Sequence, residues 1–219
     1  MNRRQLLYAC AAALLWPASS PRSAEPLVDA AMLTRLKNDY SERAWKRGNA
    51  LNRLVERLRG RPVDEQLNGV NRFFNQFEYV EDIDLWGQKD YWATPEEFLG
   101  RARGDCEDFV IAKYFTLREL GVPDERLYLT YVKHLTKNIA HMVLSYFETP
   151  GGLPLILDNY QAAIEPASRR RDLLPIYSFN AQSLFLNNAS AGLGRKLPTD
   201  KIKNSKWRKL LTELRRDKP

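Results

Sequence analysis

The sequence predicts an α+β domain, and three observations carry that prediction. Helical periods fill the first half, β-branched and aromatic runs broken by turn residues follow it, and the two kinds do not alternate. A parallel α/β fold needs alternation, and an all-β fold has no place for leading helices. The 219 residues suit one domain with extensions, and 44% hydrophobic against 28% charged residues is the balance of a chain with a packed core. No repeat of solenoid-like period interrupts it.

The chain opens on a targeting pattern. Asn2-Arg3-Arg4 is basic, Leu6 to Trp16 is apolar, and Pro17 to Ala24 is small and rich in helix breakers. These are the three regions of a secretory signal, with cleavage expected after Ala24 although Arg22 suits that position poorly. A buried N-terminal helix and a lipid anchor on Cys10 are the competing readings; the apolar run is short for a membrane span. Residues 25–219 then form the expected single domain.

Leu33, Leu36, Tyr40, Ala44, Leu51, Leu54, Val55 and Leu58 keep a helical period over Leu27–Arg59, as one helix or two, ended by Gly60-Arg61-Pro62. Asp64 starts the next helix, with Leu67, Val70, Phe73, Phe74 and Phe77 on one side. Glu78 to Pro95 reads as a loop of acids and aromatics. Thr94, Pro95 and Glu97 form a helix-start signature for a short helix ending near Gly100. Gly104-Asp105-Cys106 opens another, stopped at Gly121 and Pro123. Leu127–Lys133, His141–Phe147 and Leu155–Asn159 are the strand runs, expected as an antiparallel meander with a turn at Thr149-Pro150-Gly151-Gly152. Beyond Tyr177-Ser178-Phe179-Asn180 comes a polar loop with Gly192 and Gly194, then an amphipathic helix around Trp207, Leu210, Leu211 and Leu214.

Charge excludes one class of function. Loss of Met1–Ala24 removes three arginines and no acid, so the formal charge falls from +7 to +4, much of it in the C-terminal helix. That mild surplus on a solvated face is no nucleic-acid groove.

Cysteine and histidine usage is sparse and therefore informative. After processing, Cys106 is the one cysteine, and His134 and His141 are the two histidines. A lone thiol in an oxidising compartment is either buried or used. Cys106 heads a helix, where unpaired N–H groups and the helix dipole favour thiolate. His141 begins one strand and Asp158 ends the next, and the midpoint between them falls near the Pro150-Gly151 turn, so the pair can be cross-strand neighbours. An aspartate beside an imidazole fixes its tautomer and stabilises imidazolium, and the other ring nitrogen is left for a thiol. His134, before the polar turn Thr136-Lys137-Asn138, is the rival base and reads as solvent-facing. Asp105, Glu107 and Asp108 crowd the cysteine; they either partner the helix dipole or, by opposing thiolate, call for a hard cation such as calcium.

Asp90-Tyr91-Trp92-Ala93-Thr94-Pro95, Gly104-Asp105-Cys106-Glu107-Asp108-Phe109, Ala112-Lys113-Tyr114, His141-Met142-Val143-Leu144, Leu157-Asp158-Asn159 and Tyr177-Ser178-Phe179-Asn180 together resemble the bacterial transglutaminase-like cysteine proteinases. The resemblance implies a papain-like, transglutaminase-like fold, a Cys106, His141, Asp158 triad, and calcium at Asp105 and Glu107. It further implies a periplasmic endopeptidase that cleaves the N-terminal region of a large surface adhesin, releases cells from biofilms, and is held inactive by an inner-membrane cyclic di-GMP receptor. Two other functions fit the same residues: a transglutaminase passing the acyl group to an amine, and an exported binding module without turnover. For a peptidase the oxyanion donors expected are the Cys106 backbone N–H and an upstream group, with Trp92 a candidate that could equally be a packing residue.

Overall fold

The computed structural model describes residues 26–188, 192–197 and 205–216. The expected export signal, Met1–Ala24, lies outside them.

The predicted α+β order is the observed one. The first helical stretch divides at Ser41 into α1 (Ala30–Arg35), a π-helical turn (Leu36–Tyr40) and α2 (Glu42–Leu58). The break is local chemistry: Asp29 caps α1 by accepting from Met32 N–H at 2.7 Å, and Ser41, in extended backbone, caps α2 by accepting from Ala44 N–H at 3.1 Å. Helix α3 (Val63–Phe74) follows Pro62 and stops before Phe77. The stretch read as a loop contains the short strand β1 (Glu78–Tyr79) and one turn of helix, α4 (Asp82–Trp86), closed by Gly87 in the left-handed region. So few residues carry no period of their own, and tertiary contacts set them. Helix α5 (Pro95–Arg101) has the predicted capping box, with Thr94 N–H on Glu97 at 2.8 Å and Glu97 N–H on Thr94 at 3.2 Å.

Strand β2 (Arg103–Gly104) pairs in parallel with β1 and leads directly into α6 (Cys106–Glu119). Phe109, Val110, Ile111, Ala112 and Leu117 are all buried, so apolar residues surround α6 on every side. Such a helix belongs between layers. It packs on α3 and α5 on one side and on the sheet on the other.

That sheet is antiparallel and comprises β3 (Leu127–His134), β4 (Ile139–Tyr146), β5 (Leu155–Leu157), β6 (Glu165–Pro166), β7 (Leu173–Phe179), β8 (Leu184–Asn188) and β9 (Gly192–Leu197), in the order β6-β5-β4-β3-β7-β8-β9. The meander β3-β4-β5 is the predicted one. Strands β8 and β9 replace most of the expected polar loop: β8 pairs with β7, and pairing of β9 with β8 supplies what Gly192 and Gly194 lack in strand propensity. Helix α7 (Ser205–Arg216) closes the chain, its Trp207 ring stacked on Phe115 and edge-on to Tyr114 and Phe179.

Candidate active site

Cys106 is the first residue of α6, and three contacts fix that position. Val80 N–H donates to Gly104 O at 2.9 Å, Ala93 N–H to Asp108 Oδ1 at 2.8 Å, and Asp105 N–H to Asp108 Oδ2 at 3.4 Å. A Cβ on Gly104 would collide with the Asp108 carboxylate and Phe98, so only glycine lets β2 pass this close to the helix head. The Cys106 thiol opens onto a cleft of about 1060 Å³ and donates to Glu107 Oε2 at 3.1 Å. Burial, then Glu107 and Asp105, push the thiol well above its ordinary pKa, while the Met142 backbone N–H favours thiolate.

That N–H is one peptide bond from His141, which lines the same cleft. His141 Nε2 lies 2.8 Å from Asp158 Oδ1, and both side chains are buried. Strand pairing sets Leu144 against Leu157, so the register carried onward places His141 opposite Tyr160 and makes Asp158 its diagonal neighbour. Tyr160 stacks on the His141 ring at 4.5 Å and 15° and donates its N–H to Asp158 Oδ1 at 2.9 Å. Burial pushes Asp158 upward, but the bond and charge of His141, the Tyr160 N–H and Arg170 outweigh it and hold the carboxyl well below its usual range. With Nε2–H on an ionised Asp158, the Nδ1 lone pair is the basic position of neutral His141; Nδ1 is buried and has no partner.

The acid side of the thiol is built differently. Asp82, at the start of α4, joins Asp105 and Asp108 in a buried group whose ligand atoms lie within 4.8 Å of one another, and Asp105 with Glu107 and Cys106 forms a second. Asp82 Oδ1 and Asp105 Oδ1 are buried without a hydrogen-bond partner. Burial, then Glu107 and Asp108, push Asp105 far above the carboxylate range; burial, then Glu107, push Asp82 up to about 6. Orphaned, mutually repelling oxygens are a poor arrangement for protein alone and a suitable one for a hard divalent cation. Asp105 and Glu107, singled out from the sequence, thus have Asp82 and Asp108 as companions. Asp82 stands among the acids of the polar-aromatic segment, but nothing in its spacing from Cys106 tells that α4 folds back onto the helix head.

His134 is a correction. It is 5% exposed rather than solvent-facing, because β7 pairs with the end of β3 and Tyr160 covers the ring. Its Nε2 is 3.7 Å from Asp172 and its Nδ1 3.2 Å from Thr136 Oγ1, so it sits behind His141 rather than before the thiol. The Trp92 ring stacks on Phe179, and its indole N–H is taken by Asp90 at 3.1 Å, which is the packing reading.

A helix-borne cysteine against an antiparallel sheet that carries a histidine–aspartate pair is the architecture of papain-like, transglutaminase-like thiol enzymes. The family model described as bacterial transglutaminase-like cysteine proteinase matches residues 46–171. Among solved structures, Legionella pneumophila LapG is 42% identical over 84% of this chain and 95% of that one, with a TM-score of 0.72. Its calcium-bound form is 43% identical over 83% and 97%, with a TM-score of 0.72, and its EGTA-treated form 42% identical over 84% and 95%, with a TM-score of 0.73. No curated protein matches the sequence. The chain belongs to the bacterial transglutaminase-like cysteine proteinases and is a cysteine peptidase.

Proposed function

We propose that this peptidase is a calcium-dependent periplasmic endopeptidase that cleaves the N-terminal region of a large surface adhesin and so controls biofilm attachment. The observation that carries the catalytic part is the His141 Nε2–Asp158 bond of 2.8 Å, which leaves Nδ1 free beside the cleft that holds Cys106.

His141 Nδ1 takes the Cys106 proton, and Asp158 stabilises the imidazolium. The thiolate attacks the substrate carbonyl, and the Cys106 backbone N–H at the helix head donates to the oxyanion. Imidazolium returns its proton to the leaving amine as the peptide C–N bond breaks. Water, deprotonated by His141, then hydrolyses the thioester and restores the thiol. Asp82, Asp105, Glu107 and Asp108 are the residues that would hold calcium. When bound, the ion neutralises the carboxylates that otherwise oppose thiolate formation.

Export is supported by the pattern of Met1–Ala24, and among the described residues no helix is long and apolar enough to cross a membrane. The adhesin substrate and an inhibitory inner-membrane cyclic di-GMP receptor rest on the family resemblance. The test is incubation with the N-terminal segment of a large adhesin from the same genome, with and without EGTA, read by mass. Cleavage to a new carboxylate in calcium, stopped by EGTA and absent in Cys106→Ala, is expected. An intact adhesin, a new amide in place of the carboxylate, or cleavage indifferent to EGTA would overturn this reading.

A further inference from the structure

The contacts behind the thiol continue past Asp158. Its Oδ1 serves His141 and Tyr160, and its Oδ2 accepts from Arg170 Nη2 at 2.7 Å. Arg170 is 3% exposed and grips a second carboxylate: its Nε donates to Asp172 Oδ1 at 3.0 Å and its Nη2 to Asp172 Oδ2 at 2.8 Å. The remaining nitrogen, Nη1, is buried without a partner. The fork is therefore placed for these two carboxylates and not for its own full satisfaction. Both residues sit in a pinned turn, with Arg170 N–H on Ala167 O at 3.1 Å, Leu173 N–H on Arg170 O at 3.1 Å and Leu135 N–H on Asp172 O at 2.7 Å.

A carboxylate can swivel and offer either oxygen to an imidazole. Fixing Oδ2 in a planar guanidinium keeps Oδ1 on the ring. The same cation, however, cancels part of the negative charge that stabilises imidazolium. Asp172 offsets that loss, since two carboxylates and one guanidinium carry the net charge of a single carboxylate. The other ionisable neighbours are Tyr160, His134, 3.7 Å from Asp172, and Lys113 of α6, whose fully buried Nζ lies over the Phe109 ring without a hydrogen-bond partner and feels the charge of Asp158.

We propose that Arg170 and Asp172 are a positioning pair for the peptidase reaction: Arg170 holds Asp158 in the rotation that faces His141, and Asp172 neutralises Arg170 so that His141 can still take the thiol proton. This rests on the triad proposed above. Neither residue lines the cleft that holds Cys106, so the effect is on kcat and on the thiol, not on KM.

The test compares wild type, Asp172→Asn, Arg170→Lys, Arg170→Met and Asp158→Asn in calcium, by peptide cleavage, melting temperature and the rate of Cys106 alkylation by iodoacetamide against pH. Asp172→Asn should melt near wild type yet alkylate several-fold more slowly near pH 6, with its midpoint moved up. Arg170→Lys should keep KM within about twofold and lose about tenfold or more in kcat, because one ammonium cannot bridge both carboxylates. If Arg170→Met fails to fold, these two variants still decide. Wild-type rates in both, beside an inactive Asp158→Asn, would overturn the pair while leaving the triad standing. An active Asp158→Asn would bring down the triad, and the pair with it.

Discussion

The two sides of Cys106 handle buried carboxylates in opposite ways. On the strand side, Asp158 has a partner on each oxygen, and Arg170 and Asp172 extend the pairing outward. On the helix-head side, Asp82, Asp105, Glu107 and Asp108 face one another, and Asp82 and Asp105 each keep an orphaned oxygen. The consequences run in opposite directions: Asp158 is held ionised, whereas Asp105 and Asp108 are pushed towards protonation, and burial, then Glu107 and Asp105, push the thiol up. On the base side both oxygens of Asp158 are partnered within the protein. On the acid side the proposed calcium would supply the missing charge.

Four experiments can break or sharpen that contrast. The largest effect belongs to the thiol between the two sides: Cys106→Ala should lower cleavage by about 10⁴-fold or more while calcium affinity stays near wild type, measured by single-turnover assay and calorimetry. Next is Asp158→Asn, which holds a similar shape but favours the wrong tautomer; a loss on the order of 10³–10⁴ in kcat is expected, with little change in KM.

Calcium removal should separate the sides by pH. The depressed Asp158 contributes stability that is present above the unfolded carboxyl pKa of about 4 and is lost as pH falls through its lower folded value. Asp82 and Asp105 are raised, so their contribution to the calcium-free protein is full below about pH 4 and declines as pH rises, through about 6 for Asp82. In EGTA the melting temperature should therefore fall between about pH 5 and pH 8, and saturating calcium should remove that fall. Equal slopes with and without calcium would remove the distinction between the sides. The smallest effect is electrostatic: chelated Glu107→Gln should alkylate at Cys106 a few-fold faster than chelated wild type, because Glu107 heads the charges raising the thiol. A slower rate would mean that Glu107 assists the thiol.

The sequence makes the base side more legible than the acid side, for reasons of range. Cys106 at a helix head follows from local signals, Gly104 before it and the Gly121–Pro123 stop after it, and local signals survive folding. The hairpin turn near Pro150-Gly151 is likewise local, and it places Asp158 two residues from direct pairing with His141, on the same face, so they meet diagonally. Asp82 reaches Asp105 through the single turn of α4, and His134 is covered by β7, which arrives from nearly 40 residues further along the chain. Those contacts depend on long-range packing that periodicity does not encode. Strand β9, with two glycines, is a strand by virtue of its partner β8.

The most direct test of the whole account is the pH profile of Cys106 alkylation by iodoacetamide, measured in calcium, in EGTA and in His141→Ala. The account predicts a midpoint well below the free-thiol value of about 8.5 in calcium, and well above that midpoint both in EGTA and in His141→Ala. A single midpoint near about 8.5 under all three conditions would contradict it, because neither the imidazole nor the cation would then be acting on the sulfur.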